Sequence, residues 1–118
     1  MIHSLKKNDL FRLVYKKGRS FANRYLVVYI LENNLDFNRL GISVSKKVGN
    51  SVVRHRLTRL VRESYRLNEF RFNSGLDIVA VVRVNASGIK KCIEMEKALF
   101  HLMKLHKVII RTGSENDG

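Results

Sequence analysis

The residues with the clearest chemical capacity are the arginines and lysines between positions 46 and 71. This stretch holds eight basic residues and only two acids, Glu63 and Glu69. A planar guanidinium group can donate two parallel hydrogen bonds to a phosphate and can stack on a base, whereas an ammonium group does neither. The predicted chemistry is therefore binding of a phosphate backbone. The basic residues are Lys46, Lys47, Arg54, Arg56, Arg59, Arg62, Arg66 and Arg71.

The spacing of these residues predicts a helix from about Asn50 or Ser51 to Leu67. At about 100° per residue, apolar side chains fall on one face and cations on the other, with Arg54 and Arg56 at the margins. We expect the helix to bury the apolar face in the domain and to expose the cationic one. The expected buried face is Val53, Leu57, Leu60, Ser64 and Leu67, and the expected exposed face is His55, Arg59, Arg62 and Arg66.

The expected start of this helix adds to its attraction for anions. Gly49 and Asn50 would leave backbone N–H groups unpaired at the positive end of the helix dipole, beside Lys46 and Lys47. The alternative is a solvated helix face held by local ion pairs between an acid and its neighbouring arginines. Two acids cannot offset eight bases, so phosphate binding is favoured.

A catalytic apparatus is not evident in the sequence. His3, His55, His101 and His106 do not have metal-ligand spacing, and no glycine-rich phosphate-binding motif is present. Glu94 and Glu96 are two apart on a predicted helix and would point in different directions. We therefore expect neither catalytic nor metal-ligating residues in this chain.

The overall charge supports a polyanionic partner. Twenty-three Lys and Arg face ten Asp and Glu, which gives a formal net charge of +13 and a pI near 10.4. Such an excess opposes compact folding, so nucleic acid is the leading partner class, and anionic membrane surfaces come second. With Cys92 as the only cysteine, no intramolecular disulfide is possible. The N-terminus has no apolar stretch of signal-peptide type, so we expect a cytoplasmic protein.

Length and composition predict a single domain over residues 1–118, with a frayed polar tail at 112–118. Asn8 or Asp9 could cap a first helix that runs to about Lys17, with Leu10, Leu13 and Val14 on its core face and Phe11 and Tyr15 on its flank. Strands are expected at Arg19–Phe21, Arg24–Leu31, Arg39–Ser45 and Asp77–Val84. The third should be antiparallel to its predecessor, and the last should be central.

A final helix is expected from a cap at Ser87 to about His106. Its predicted core face is Ile89, Ile93, Phe100 and Met103. The element order therefore predicts an α+β sandwich.

The central run from Arg39 to Glu63 resembles the signature of the bacterial ribonuclease P protein family. The family pattern is an Arg-Asn-Arg core, preceded by Lys-Lys-x-Gly-Asn-Ala-Val and followed by more basic positions. The segments Leu5–Phe11, Tyr15–Ser20 and Ala22–Arg24 are also similar, so the resemblance covers residues 3–106. This chain departs from the pattern at three positions, where it has Ser51 for Ala, His55 for Asn and Thr58 for a basic residue.

The resemblance implies an α-β-β-β-α-β-α sandwich with a left-handed βαβ crossover, similar to some ribosomal proteins and to domain IV of elongation factor G. It also implies a ribonucleoprotein endoribonuclease that removes the 5′ leader of precursor tRNA. In that enzyme the RNA subunit carries the active site and binds most of the magnesium, so we expect no cofactor in this chain.

The resemblance further implies two RNA-binding surfaces, and neither a membrane nor a small-molecule substrate as partner. The surface for the catalytic RNA would comprise Lys46, Lys47, Asn50, Arg54, His55, Arg56, Arg59, Arg62 and Arg66. The surface for the single-stranded leader of precursor tRNA would comprise Phe11, Tyr15, Arg24, Val27, Tyr29 and Val82. From the residues alone, Phe11 and Tyr15 would more simply be core residues.

Three other classes of protein are alternatives. A ribosomal protein would share the charge and the fold class. A DNA-binding regulator would need base-reading Asn or Gln among the arginines, and the segment 54–66 has none. An autonomous nuclease is disfavoured because no catalytic cluster is evident.

Overall fold

The computed structural model describes residues 2–110, so the tail predicted at 112–118 lies outside the described residues. Its elements confirm the α+β class and the expected order, with one short strand added before the first helix. They are β1 (His3–Ser4), α1 (Asn8–Lys17), β2 (Arg19–Ala22), β3 (Leu26–Glu32), β4 (Arg39–Ser43), α2 (Ser51–Asn68), β5 (Leu76–Val82) and α3 (Cys92–Leu105). Short 3-10 helices follow α2 at Glu69–Arg71 and β5 at Val84–Ala86.

The five strands form one sheet in the order β1-β4-β5-β3-β2. The central position of β5 is confirmed, as its apolar run requires burial on both faces. β3 and β5 are antiparallel from Leu26↔Val82 to Glu32↔Leu76. β4 runs opposite to β3 as predicted, but β5 lies between them and pairs with β4 in parallel. Helix α2 makes the crossover between these parallel neighbours, and the hand of that crossover stays a prediction.

The two faces of the sheet carry different layers, because successive side chains of a strand point to opposite sides. On β3, Leu26, Val28 and Ile30 belong to the main core, which lies between the sheet and helices α2 and α3. The alternate residues Tyr29 and Leu31 pack with α1 in a smaller cluster on the other face. Helix α1 therefore has a sheet surface of its own, separate from that of the two longer helices.

Helix α1 begins at Asn8, so both Asn8 and Asp9 lie inside the helix and neither caps it. Its N-cap residue is Lys7, whose side chain makes no capping hydrogen bond, so the predicted caps are wrong. Val14 is fully buried, as predicted, but Leu13 is 41% exposed and does not join the core. Val14 is the one residue of α1 that is buried, so the buried face of this helix is narrower than predicted.

Helix α2 follows the predicted boundaries closely. Asn50 caps it, since its Oδ1 accepts a hydrogen bond of 3.0 Å from the backbone N–H of Val53. The buried residues of α2 are Leu57, Val61, Ser64, Tyr65 and Asn68. Leu67 is exposed, against prediction, because the buried stripe shifts to Asn68, whose side chain donates to Ser64 O and to Glu96 Oε2.

Helix α3 begins four residues later than predicted. Ser87 ends the 3-10 helix Val84–Ala86, and the N-cap of α3 is Lys91, so the predicted cap at Ser87 is wrong. Ile89 is buried as expected, but it lies in the loop before the helix, while Ile93 is 53% exposed. The residues of α3 that are buried are Met95, Ala98, Leu99, Leu102 and Met103. Among the helices described, none has the length and apolar character needed to cross a membrane.

Candidate nucleic-acid interface

The outward face of α2 carries the row of cations that the sequence predicted. His55, Arg59, Arg62 and Arg66 are all exposed. Arg66 forms a two-pronged ion pair with Glu63, with Nε 2.9 Å from Oε1 and Nη2 2.6 Å from Oε2. Hydrogen bonding from Arg66 lowers the pKa of the Glu63 carboxyl. Neither side chain is buried by the pair, since they remain 56% and 46% exposed.

Arg59 and Arg62 are the cations of this row that stay available. Within residues 2–110 the other ion pairs are Arg12–Asp9 and Arg39–Asp77, and neither involves α2. The two guanidinium groups are one turn apart on the same helix face, where like charges repel in the absence of an anion. A phosphate backbone would relieve that repulsion.

The two margin arginines are held by the protein itself. Arg54 donates from Nε to Gly49 O at 3.2 Å, across the first turn of α2. Arg56 is half-buried, and it donates from Nε to Ile89 O at 3.1 Å and from Nη2 to Ser87 O at 2.6 Å. Arg56 thus ties the loop before α3 to the middle of α2. Its direct contact with RNA stays a prediction.

The turn before α2 presents the two predicted lysines. Lys46 and Lys47 are exposed, and the next residue, Val48, is buried and fixes the turn to the core. A Cβ atom at Gly49 would be 2.8 Å from Cβ of Val53, so only glycine fits this close approach. The first N–H groups of α2, beginning at Ser51, have no acceptor within the helix and lie beside these lysines. The arrangement attracts anions to the start of α2.

One cation of this surface was missed by the sequence reasoning. Exposed Lys90, in the loop that leads to α3, lines a depression together with Arg56, Arg59, Arg62 and Glu63. A helix that begins at a Ser87 cap, as the sequence predicted, gives Lys90 no place on this surface. Gly88, which is a poor helix former, was the signal for a loop at this place.

A second candidate surface lies between α1 and the sheet. The ring centroids of Phe11 and Tyr15 are 6.3 Å apart, and those of Tyr15 and Tyr29 are 4.9 Å apart in an edge-to-face arrangement. Phe11 and Tyr29 are half-buried, while Tyr15 is 38% exposed. Val27 lies two residues before Tyr29 on β3 and is half-buried on the same side of the sheet. The structure therefore brings together four of the six residues predicted for the leader cleft.

The other two lie elsewhere. Val82 is 3% exposed and packs in the main core under α2 and α3, so its predicted place in the cleft is wrong. Its neighbour Val81 points to the α1 side instead, because adjacent residues of a strand face opposite ways. Arg24 is exposed in the turn before β3 and lines a depression with Lys97 and His101 of α3, on the other face of the sheet.

The chemistry available at both surfaces is binding. Within residues 2–110, no group of three or more His, Cys, Asp or Glu side chains could hold a metal ion. The α2 surface offers guanidinium and ammonium donors in a region of positive charge. The cleft offers aromatic rings beside valine side chains of the sheet. Cations suit phosphates, and aromatic faces suit unstacked bases.

Comparisons with known proteins give matches along nearly the whole chain. The family model for ribonuclease P matches residues 2–107. The ribonuclease P protein component of Lachnoclostridium phytofermentans is 61% identical over 117 residues, which cover 99% of this chain and 98% of that protein. That of Alkaliphilus metalliredigens is 53% identical over 107 residues, which cover 91% of this chain and 96% of that protein.

Solved structures give the same result for the fold. The ribonuclease P protein of Staphylococcus aureus superposes with a TM-score of 0.84 at 38% identity and covers 93% of this chain and 100% of that one. The protein from Thermotoga maritima gives a TM-score of 0.80 at 32% identity and covers 93% and 99%. On the family match, the identities and the shared fold, the chain belongs to the ribonuclease P protein family.

Proposed function

We propose that this chain is the protein subunit of a ribonuclease P ribonucleoprotein that works in the cytoplasm. It binds the catalytic RNA and the 5′ leader of precursor tRNA, and so assists endonucleolytic removal of the leader to form the mature 5′ end of the tRNA. The observation that carries the proposal is the exposed row on α2, in which Arg59 and Arg62 have no acidic partner among residues 2–110.

The α2 surface is the proposed binding site for the catalytic RNA. Guanidinium groups one turn apart can each fork onto a phosphate, and each such contact releases counterions from the RNA. The start of α2 adds Lys46, Lys47 and free backbone N–H groups. Because Arg56 is anchored to Ser87 O and Ile89 O, the middle of this surface is rigid, which lowers the entropy cost of binding a folded RNA.

The cleft between α1 and the sheet is the proposed binding site for the leader. A single strand exposes its bases, and each base stacked on an aromatic ring contributes about 1–3 kcal/mol. Tyr15 is the most accessible of the three rings, and Tyr29 supports it edge to face. Mature tRNA has no leader, so this surface distinguishes substrate from product.

The chain itself supplies no catalytic residue in this proposal. Magnesium, held mainly by the RNA subunit, supplies the charge that stabilises the transition state of phosphodiester cleavage. The cations of the protein reduce the repulsion between the catalytic RNA and the substrate. The catalytic RNA therefore binds precursor tRNA at a lower concentration of divalent ion.

A cleavage assay tests the proposal. The chain is mixed with a bacterial ribonuclease P RNA and precursor tRNA at a magnesium concentration too low for the RNA alone, and release of the leader is measured. Stimulated release is expected. Cleavage by the protein without the RNA would instead indicate an autonomous nuclease, and binding of ribosomal RNA without stimulation would indicate a ribosomal protein.

A further inference from the structure

A third basic surface lies on the outer side of α3, away from the cleft and beyond the C-terminal end of α2. Helices α2 and α3 run in the same direction: Ser64 is next to Cys92, Asn68 bonds to Glu96, and further along Arg71 contacts Phe100. Past the end of α2, Arg71 and the outer side of α3 line a groove that continues to Ile109 and Ile110. We call it the α3 groove.

The charge of the α3 groove is strongly positive. Its walls carry four cations, Arg71, Lys97, Lys104 and Lys107, against one acid, Glu96. None of the four belongs to an ion pair within the described part of the chain. Glu96 is partly engaged, since its Oε2 accepts a hydrogen bond of 2.8 Å from Asn68. All four cations are exposed, so they are free to meet a polyanion.

The floor and rim of the groove add apolar and aromatic surface. The guanidinium carbon of Arg71 lies 4.3 Å from the ring centroid of half-buried Phe100, within the range of a cation–π contact. That contact holds Arg71 in place as a planar platform on which a base can stack. On the same turn, Phe70 is 78% exposed, the highest value among the large hydrophobic residues described. Phe70 precedes Arg71 in the chain, so an exposed aromatic ring lies on the 3-10 turn that carries this guanidinium group.

We propose that the α3 groove binds single-stranded RNA, with lysines on its phosphates and with Arg71 on its bases. An RNA duplex hides its base faces and could use only the cations. An acidic polypeptide would also use the cations, and Arg71 could donate two parallel hydrogen bonds to a carboxylate, but such a partner has no base to stack on the guanidinium plane. The contact of Arg71 with Phe100, which fixes a guanidinium plane at the groove, favours the single strand.

This groove goes beyond the proposed function, which uses only the α2 surface and the cleft. To separate it from the cleft, binding of a fluorescent oligouridylate is measured by anisotropy in the Phe11→Ala, Tyr15→Ala background, which removes two of the three cleft rings. Lys97→Gln with Lys104→Gln is expected to weaken binding. It should also reduce the salt slope, which is the slope of log affinity against log salt concentration, by about 1.4, at about 0.7 for each cation on a single strand. Lys6→Gln with Lys7→Gln, the matched control on the α1 side, is expected to leave both unchanged.

Arg71→Lys tests the stacking separately, because it keeps the charge. We expect about a fivefold loss of affinity for the single strand, little change for an RNA duplex, and an unchanged salt slope. Equal losses for single strand, duplex and polyglutamate would show a general polyanion surface and overturn the proposal. So would groove variants that bind like their background. Either result leaves the cleavage assay unaffected, so failure of the groove and failure of the proposed function are distinguishable.

Discussion

The ring of Phe11 lies directly against the backbone of Gly41. A Cβ atom added to Gly41 would be 2.5 Å from Cζ of Phe11 and 2.8 Å from its Cε1. Strand β4 therefore has to present a bare backbone for α1 to bring Phe11 onto the sheet. Only the packing of α1 shows what occupies the space beside Gly41.

Gly41→Ala should displace Phe11 and distort the cleft. We expect it to lower the free energy of unfolding by about 1–3 kcal/mol, as overpacked sites commonly do, and to weaken binding of precursor tRNA that carries a leader. Affinity for the catalytic RNA should not change, since α2 is on the other face of the sheet. In a double-mutant cycle, Gly41→Ala should cost clearly less in a Phe11→Ala background. Full additivity of the two changes would contradict this contact.

Phe11→Ala with Tyr15→Ala should raise the dissociation constant for precursor tRNA but not for mature tRNA. The physical reason is the loss of about 1–3 kcal/mol for each base that stacked on a ring. Both affinities are measured on the reconstituted holoenzyme. Leu13→Ala, at an exposed position on the same helix, is the matched control. Equal losses for both tRNAs would rule out a leader-specific cleft.

The elements that the sequence predicted well are those with one dominant signal. Helix α2 has a clear division of apolar and cationic faces, and its bounds and its exposed arginines are confirmed. Strand β5 is a nearly continuous apolar run, and its central position is confirmed. In these elements local propensity and tertiary burial require the same residue pattern.

The residues placed wrongly depend on tertiary contacts or on single-residue registers. Val81 and Val82 are adjacent on β5 and therefore point to opposite faces of the sheet. In a continuous apolar run, the sequence does not show which of the two faces α1. Ser87 has the residue type of a cap, but the chain first makes the 3-10 helix and a loop, where Ile89 is buried. The anchoring of Arg56 to two carbonyls follows from that loop, so it could not be predicted while the loop was assigned to a helix.

Arg56 and its neighbours on α2 should separate stability from RNA binding. Arg56→Ala removes two hydrogen bonds to backbone carbonyls, and we expect a loss of about 1–3 kcal/mol in the free energy of unfolding. Arg59→Ala with Arg62→Ala should leave stability unchanged or slightly higher, because it relieves like-charge repulsion. Chemical unfolding measures both. The reverse order of stabilities would contradict these assignments.

The same pair of variants makes a prediction for the RNA. Arg59→Ala with Arg62→Ala should weaken binding of the catalytic RNA and reduce the slope of log affinity against log salt by about 1.8, at about 0.9 for each phosphate contact. The measurement is a salt titration of RNA binding. Val52→Ala, at a position on α2 that is 72% exposed and apolar, is the control. An unchanged slope in the arginine variant would remove these residues from the interface.

His106 should make the stability of the fold depend on pH. It is 2% exposed, and its Nε2 lies 2.8 Å from Val28 O, which can only accept, so Nε2 carries the proton. Its Nδ1 is buried and has no hydrogen-bond partner among the described residues. Burial lowers the pKa of this imidazole below its usual 6.5, and nearby Arg19 lowers it further, against the opposing effect of the bond to Val28.

Because the pKa of His106 is lower in the folded state, the unfolded chain takes up the proton first as the pH falls. The contribution of His106 to the free energy of unfolding is therefore fully present above about pH 6.5. It declines as the pH drops from there towards the pKa of the folded state. His106→Gln keeps a donor for Val28 O but cannot titrate, so its unfolding free energy should change less between pH 7 and 5 than that of the wild type. Thermal or chemical unfolding across this range measures the difference. Parallel pH profiles for the two proteins would show that another group is responsible.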